Sequence, residues 1–489
     1  MIVLPNYFTI LASICSVGRV LEVPDTNKPR TIGELRASGY QVLSVKEEMR
    51  KNLIRKMRAG ETLFPLLVGY EETVIPQVEN AVLSGQDIVL LGERGQAKTR
   101  LARSLATLLD DEVPAIAGCE INDNPFEPIC QRCQQLVEDE GDDVEIAWLH
   151  RDRRYGEKLA TPDITIADLI GEVDPIKVAE GRYLSDELTI HYGLIPRTNR
   201  GVFCINELPD LAERIQVGLL NIMEERDVQI RGYKVRMPLD LYVVASANPE
   251  DYTNRGRIIT PLKDRFGSQI RTHYPRTIDH EISIMDQEAS SFADDGLKVT
   301  IPAFMKEIIA EITHLARKSP DISQRSGVSV RVSIANFENL LANAQKRCIR
   351  LGESEVAPRI SDLPAIHAST TGKIEIEALG ESREERVVDK LVHGAVLQTF
   401  NRHFRLQEFE ELLTRFESGL AVEVSENKPS SAYLGKTLDL PGVRAAVEKL
   451  GADSSPAATA SAVEFVLEGL HLSRRLNKDR TAGKIRYRR

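Results

Sequence analysis

The feature that most constrains this fold lies in the first quarter of the chain. Asp87 leads into Ile88-Val89-Leu90-Leu91, a short unbroken apolar run that reads as a strand buried on both faces. Gly92-Glu93-Arg94-Gly95-Gln96-Ala97-Lys98-Thr99 follows at once, and Leu101, Leu105, Leu108 and Leu109 then recur at helical spacing. Strand, glycine-bearing turn and helix in that order is the setting a Walker A phosphate loop requires. In such a loop the backbone N–H groups and the helix N-terminus point at the phosphates. Lys98 is placed to neutralise the β and γ phosphates, and the Thr99 hydroxyl to ligate Mg²⁺. Ala97 stands where the pattern has glycine, and its methyl group crowds the closest backbone approach to a phosphate. The plainer alternative is a glycine turn before an ordinary helix; the strand context, the spacing and the Lys-Thr pair together weigh against it.

Two more buried strands are legible, Val202-Phe203-Cys204-Ile205 and Leu241-Tyr242-Val243-Val244-Ala245. The first ends in Asn206-Glu207 and resembles a Walker B strand. Asn206 replaces the usual Asp, so it can bond a metal-bound water but brings no charge; weak Mg²⁺ binding and slow turnover are expected. Its other reading, a cap on the following helix, is compatible with the first. Glu207 falls where a carboxylate orients the attacking water as general base. Asn248 ends the next strand and can reach the water between the γ-phosphate and Glu207; alone it would read as a turn Asn before Pro249. Between these strands a helix is expected from about Ala212 to Glu225, and alternation over Val228–Met237 around Gly232 predicts a hairpin. Upstream, Ser44-Val45-Lys46-Glu47 has the form of a capping box opening a helix that Gly60 stops.

Composition sets the outer limits. The 489 residues carry 63 Lys and Arg against 73 Asp and Glu, a formal charge of −10. With 42% hydrophobic and 28% charged residues the chain is an ordinary soluble globular protein of roughly three domains, with no expected membrane association. The acidic balance makes nucleic acid an unfavourable partner, and one Trp with 5% aromatics supplies no stacking platform for single strands. Six cysteines make no disulfide framework and suit a reducing cytoplasm. The first residues are apolar, but no basic stretch precedes them and Pro5, Asn6 and Arg19 interrupt them, so they read as a loosely held leader.

Cys119, Cys130 and Cys133 form a C-x10-C-x2-C pattern with His150 downstream, a candidate Cys₃His site for structural Zn²⁺ set against a chance CxxC pair. Residues 473–489 hold eight Lys or Arg and one Asp; a solvated basic tail is the plain reading, and contact with an acidic surface or nucleic acid the sharper one.

With both Walker-like segments and Asn248 in order, the chain resembles an AAA+ ATPase. More narrowly it is similar to the ATPase (I) subunit of magnesium chelatase and to MoxR-type AAA+ proteins. Gly193-Leu194-Ile195-Pro196 through Asn199-Arg200-Gly201, Thr161-Pro162-Asp163 through Asp174, the 228–237 hairpin and Leu262-Lys263-Asp264-Arg265-Phe266 carry the narrower match, within residues 40–350. The resemblance implies an α/β AAA+ core, a parallel sheet flanked by helices with a helix-2 insert and a hairpin before sensor 1, then an α-helical lid. On that basis 1–35 is a poorly ordered leader, 36–277 the nucleotide-binding domain and 278–350 the lid. Residues 351–382 are a linker, and 383–489 a helical region in which 424–436 and 451–460 are flexible. It further implies ATP and Mg²⁺ as cofactors, Glu207 as catalytic base, Asn248 as sensor 1, Arg265 as a finger reaching a neighbouring subunit, and Arg331 as sensor 2. Arg255 and Arg257 compete for the finger role. A homo-hexameric ring that remodels a von Willebrand A domain protein is the implied assembly. A hydrolysis-deficient nucleotide-binding scaffold is the alternative; a DNA-acting transcription activator or helicase ranks last.

Overall fold

The computed structural model describes residues 28–489 apart from 174–188, 225–226, 229–236, 249–255, 291–295, 325–326, 377–380, 436, 454 and 482–483. Residues 1–27 and Arg255 therefore lie outside the described residues.

Five parallel strands form the central sheet: β1 (Ile88–Leu91), β2 (Tyr155–Leu159), β3 (Gly201–Asn206), β4 (Leu241–Ala247) and β5 (Ser268–Arg271), in the order β5-β1-β4-β3-β2. β1 pairs with β4 from Ile88↔Val244 to Leu91↔Ala247, and with β5 from Ile88↔Ser268 to Leu91↔Arg271. β3 pairs with β4 from Gly201↔Leu241 to Ile205↔Ala245. All residues of β1, β3 and β4 are buried. Their alternate side chains feed two apolar layers. Val89, Leu91, Phe203, Ile205, Val243 and Ala245 pack on one face, and Ile88, Leu90, Val202, Cys204, Tyr242 and Val244 on the other. This is why the three strands read as continuous apolar runs rather than as alternating ones. The chain leaves β1 for the far edge, returns strand by strand to β4 beside β1, and ends at β5 on β1's other side. Ligands of open parallel sheets bind at the carboxyl ends of strands where the order switches in this way. Here that point is the end of β1.

The helix Val45–Ala59 is bounded as its sequence dictates. Ser44 and Glu47 form the reciprocal capping box, and Gly60 closes the helix at φ 66. It is fastened to the sheet by Glu48, whose carboxylate accepts from both terminal nitrogens of Arg154 at 2.7 and 2.6 Å, with both side chains buried. The segment before β2 adds an antiparallel pair, Glu112–Ile116 with Ile146–His150. The expected hairpin is present at its base, where Asp227–Val228 pairs with Met237–Pro238; its tip lies outside the described residues.

Five expectations about order fail. Residues 28–35 are not loose: Thr31 caps the helix Ile32–Ala37, Ile32 and Leu35 are buried, and the Ile32 N–H donates to Val144 O. The 351–382 stretch is no linker where it is described. A bridge at Glu355–Val356 pairs with Lys298–Val299, and the turn of helix Ile360–Ile366 buries Leu363, Ile366 and Asp362. Asp362 accepts from Arg347 and from the Arg359 N–H, so polar residues that suggested a linker are partnered inside the fold. The 451–460 stretch opens the buried helix Pro456–Leu472, whose alanines permit close packing rather than flexibility. Within 424–436, Ser430 and Tyr433 are buried, Tyr433 donating to Glu464 at 2.7 Å. The basic tail is also folded: Lys484–Arg488 pairs with both Val422–Val424 and Asn477–Thr481 in a three-stranded antiparallel sheet. Tyr487 is buried there, its hydroxyl donating to Glu468. One apolar cluster runs from Met285 through Phe400 and Phe465 to Tyr487, so the expected lid and the C-terminal region share a core.

Candidate functional site

The loop after β1 is shaped by residues the motif names and clamped by residues it does not. A β-carbon on Gly92 would lie 1.9 Å from Thr272 Oγ1 and 2.3 Å from Gln96 Oε1, so only glycine fits. Gln96 Oε1 accepts from Thr272 Oγ1 at 2.7 Å and from the Glu93 N–H at 3.1 Å, which curls the loop back on itself. Tyr70 donates to Gln96 O at 2.7 Å, and Tyr274 to Arg94 O at 2.9 Å. Burial pushes the Tyr70 hydroxyl up to about 12, so it stays a donor at any physiological pH. Tyr70, Thr272 and Tyr274 were not legible as site residues, since their partners are backbone carbonyls and one amide supplied by a distant segment. Gly95 sits at φ +75 with Ser329 against it: a β-carbon there would be 1.9 Å from Ser329 Oγ. Ala97, at φ 54, is left-handed backbone just before the helix Lys98–Ser104.

Lys98 is buried and central. Its Nζ donates to Gly92 O, to Glu93 O at 3.0 Å and to Asn248 Oδ1 at 2.5 Å. Asn248 Nδ2 in turn donates to Glu207 Oε2 at 2.7 Å. Lys98, Asn248 and Glu207 thus form one hydrogen-bonded chain across the carboxyl ends of β1, β4 and β3. Glu207 is held left-handed at φ 55, its N–H donating to Ser246 Oγ at 3.2 Å. Thr99, half-buried, follows Lys98 in the first turn of the helix. Asn206 does not cap the following turn through its side chain. Its Nδ2 donates to Glu157 Oε1 at 2.7 Å, and its Oδ1 accepts from Ser246 Oγ at 3.1 Å. Glu157, on β2, also takes a two-pronged contact from Arg103 at 2.7 and 3.1 Å. The sequence reading missed this carboxylate beside the uncharged Asn206, because it arrives from a different strand.

Arg265 ends the helix Thr260–Arg265, donating to Pro261 O at 2.9 Å and pairing with Glu224. Among the described residues no hydrogen bond or ion pair joins it to its own phosphate loop. Arg257 is exposed and 3.9 Å from Glu213. Arg331 opens the helix Arg331–Leu351 beside Ser329, its side chain exposed. The Lys98 helix is also bonded to the next helical layer: Arg100 grips Glu288 at 2.5 and 2.6 Å. His150 is not part of the cysteine cluster. It is an exposed residue at the end of its strand, with Nδ1 accepting from the Asp152 N–H at 3.3 Å. Asp123 occupies the fourth place beside Cys119, Cys130 and Cys133.

Sheet order and the Lys98–Asn248–Glu207 chain define an α/β protein with a five-stranded parallel sheet and a polar cluster at the carboxyl ends of its central strands. The chain is a distant homologue of the I subunit of magnesium chelatase. It is 26% identical over 244 residues to the magnesium-chelatase 38 kDa subunit of Rhodobacter capsulatus, covering 47% of this chain and 61% of that protein. It is 25% identical over 267 residues to subunit ChlI of a Nostoc species, 53% of this chain and 66% of that one. Against ChlI of Cyanophora paradoxa it is 24% identical over 373 residues, 74% of this chain and 94% of the relative. The chain thus spans about three-fifths to two-thirds of the length of the first two relatives. No family model matches. Among solved structures it is similar to a chain of the BchI–BchD complex of magnesium chelatase, with 19% identity, TM-score 0.35, and 66% of this chain and 98% of that one covered. It is also similar to NtrX of Brucella abortus in complex with ATP, with 15% identity, TM-score 0.40, and 71% and 66% covered. Among the described residues no helix is long and apolar enough to cross a membrane.

Proposed function

We propose that this chain is an AAA+ ATPase that binds and hydrolyses ATP to remodel or activate a partner protein. The observation that carries the reading is the continuous hydrogen-bonded chain from Lys98 through Asn248 to Glu207 at the switch point of the sheet. The glycine cradle at Gly92 and Gly95, with Lys98 and Thr99 at a helix N-terminus, suits a triphosphate. In this reading Gly92, Glu93, Arg94, Gly95, Gln96 and Ala97 wrap the phosphates, and Lys98 exchanges its carbonyl partners for phosphate oxygens. Glu207 takes the proton of the attacking water while Asn248 fixes that carboxylate's direction. Thr99, and Asn206 through a water, would hold Mg²⁺, which neutralises phosphate charge during transfer. The absence of charge on Asn206 favours slow turnover, and Glu157 beside it supplies a carboxylate already committed to Arg103.

Arg331 would serve as sensor 2 from the first turn of its helix. Arg265 would act on a neighbour's γ-phosphate, which requires a ring, by family analogy a hexamer acting in the cytoplasm on a von Willebrand A domain protein. A second reading, a nucleotide-binding scaffold without hydrolysis, is favoured by Asn206 and by left-handed Ala97. Steady-state turnover of wild type against Glu207→Gln separates the two. The ATPase reading expects Mg²⁺-dependent hydrolysis that the variant loses while still binding ATP. Equal background rates for both proteins would leave the scaffold. DNA-stimulated turnover would instead point to a nucleic-acid motor.

A further inference from the structure

Away from the loop after β1, on the segment that connects the paired strands Glu112–Ile116 and Ile146–His150, lies a second site. Cys119, Asp123, Cys130 and Cys133 each bring one sulfur or carboxylate oxygen to a common point, all within 4.8 Å of one another. Asp123, Cys130 and Cys133 are buried, and Ile116, Ile121, Val144 and Ile146 belong to the same apolar layer. The carboxylate is half-satisfied: Oδ2 accepts the Cys130 N–H at 3.1 Å, while buried Oδ1 has no hydrogen-bond partner. A buried carboxylate oxygen without a donor is costly unless a cation meets it. Two sulfurs are also oriented by backbone donors. Cys119 Sγ accepts from the Asp123 N–H and Cys130 Sγ from the Cys133 N–H, each at 3.4 Å, the outer bonds that hold thiolate ligands in place.

We propose that these four residues hold a single structural Zn²⁺ in a Cys₃Asp centre. Four donors, three of them thiolates, match the tetrahedral preference of zinc. Zn–S bonds of about 2.3 Å put ligand atoms roughly 3.8 Å apart, a spacing the cluster reaches with small side-chain adjustments. Thiolate-rich tetrahedral sets also accept iron or Cu(I), and elemental analysis distinguishes these from zinc. Binding releases the thiol protons to solvent and changes no oxidation state. Arg132, donating to Gly118 O at 2.5 Å, brings positive charge beside a centre that three thiolates and a carboxylate leave anionic. The centre's task follows from what its loop touches. Asn122 donates to Arg197 O at 2.8 Å, Asn199 to Ile121 O at 3.0 Å, and Arg200 to Pro114 O at 2.6 Å. Residues 197–200 lead directly into β3, so the ion fixes the buttress of the strand that carries Asn206 and Glu207.

The test uses the full chain purified without oxygen, and its readout is metal content rather than nucleotide chemistry. Elemental analysis is expected to find about one zinc per chain. Cobalt exchanged for zinc should give the visible and near-ultraviolet bands of a tetrahedral thiolate site. Cys133→Ser and Asp123→Ala should lose the metal, and His150→Ala should keep it. Because the first two variants can fail to fold, X-ray absorption on the wild-type protein supplies an independent reading, expected as three sulfurs and one oxygen. Protein that takes up no zinc on anaerobic reconstitution would overturn the assignment. So would a Cys130–Cys133 disulfide in protein purified without oxygen and without added reductant, or zinc retained by Asp123→Ala and lost by His150→Ala.

Discussion

Ala97 holds a backbone conformation that an L-residue adopts at a cost of about 1–2 kcal/mol. Ala97→Gly relieves that strain but gives the unfolded chain more freedom, worth about 0.4–1 kcal/mol in the opposite direction. The net gain in stability is expected to be about 0–1.6 kcal/mol, whereas removing the methyl should tighten ATP binding several-fold. Thermal unfolding and an ATP titration check the two effects separately; unchanged affinity would acquit the methyl group. Asn206 invites a different substitution with a less obvious outcome. Asn206→Asp restores the usual metal-holding charge but sets a second carboxylate about 3 Å from Glu157, where like charges resist joint ionisation. It also forfeits the hydrogen bond the amide now donates. We expect Asn206→Asp to lose about 1–3 kcal/mol in urea unfolding without Mg²⁺, and to recover with Mg²⁺ or with Glu157→Gln. A variant as stable as wild type in chelator would show that Glu157 does not repel it.

Among whole elements, the helices beyond the sheet are tied by a buried charge. Glu281 lies within Ile278–Glu288, and its carboxylate accepts from Arg317 at 2.8 and 3.1 Å and from Ser333 at 2.6 Å, with His314 at 3.5 Å. Burial alone would raise its pKa, but His314, Arg317 and Ser333 outweigh that and hold it below the usual carboxylate range. A carboxylate depressed in the folded state contributes stability above its unfolded pKa of about 4.3 and loses it as pH falls through the lower folded value. Stability measured by urea unfolding should therefore fall on acidification from pH 5 downward. Glu281→Gln, which leaves Arg317 buried without its charge partner, should cost about 3–5 kcal/mol at pH 7 and flatten part of that acid slope. An unchanged slope would show that other carboxylates set it.

The same scale shows what the sequence could reveal. Strands buried on both faces and a capping box announce themselves through local composition, and both are present. The 351–382 stretch and residues 473–489 misled because their charges are satisfied by residues far along the chain, Arg359 with Ser430 and Lys484 with Glu423. Polarity read locally cannot distinguish a solvated segment from an internally paired one. The candidate site divides likewise: Lys98, Glu207 and Asn248 follow from motif order, whereas Tyr70, Thr272, Glu157 and Asp123 come from contacts that only the folded chain makes.

At the scale of the molecule, Arg265 sits on Glu224 rather than on its own phosphate loop, so its proposed role is testable only in an assembly. ATPase rate per chain should rise with protein concentration as rings form. Arg265→Ala should bind ATP normally yet lose at least about 10³-fold in turnover. Mixing it with Glu207→Gln should restore part of the rate, because each ring then contains interfaces with one intact lysine-glutamate half and one intact arginine. No recovery in mixtures that demonstrably co-assemble would place the finger elsewhere.

The close seating of Ser329 against Gly95 carries a mechanical corollary. Two residues later begins the rod Arg331–Leu351, 21 residues and so about 30 Å long. Rotating such a rod by about 5° about its near end swings the far tip by roughly 3 Å. Small shifts of the glycine loop would thus be geared up into displacements large enough to register at a neighbouring molecule, with Gly95 as the fulcrum.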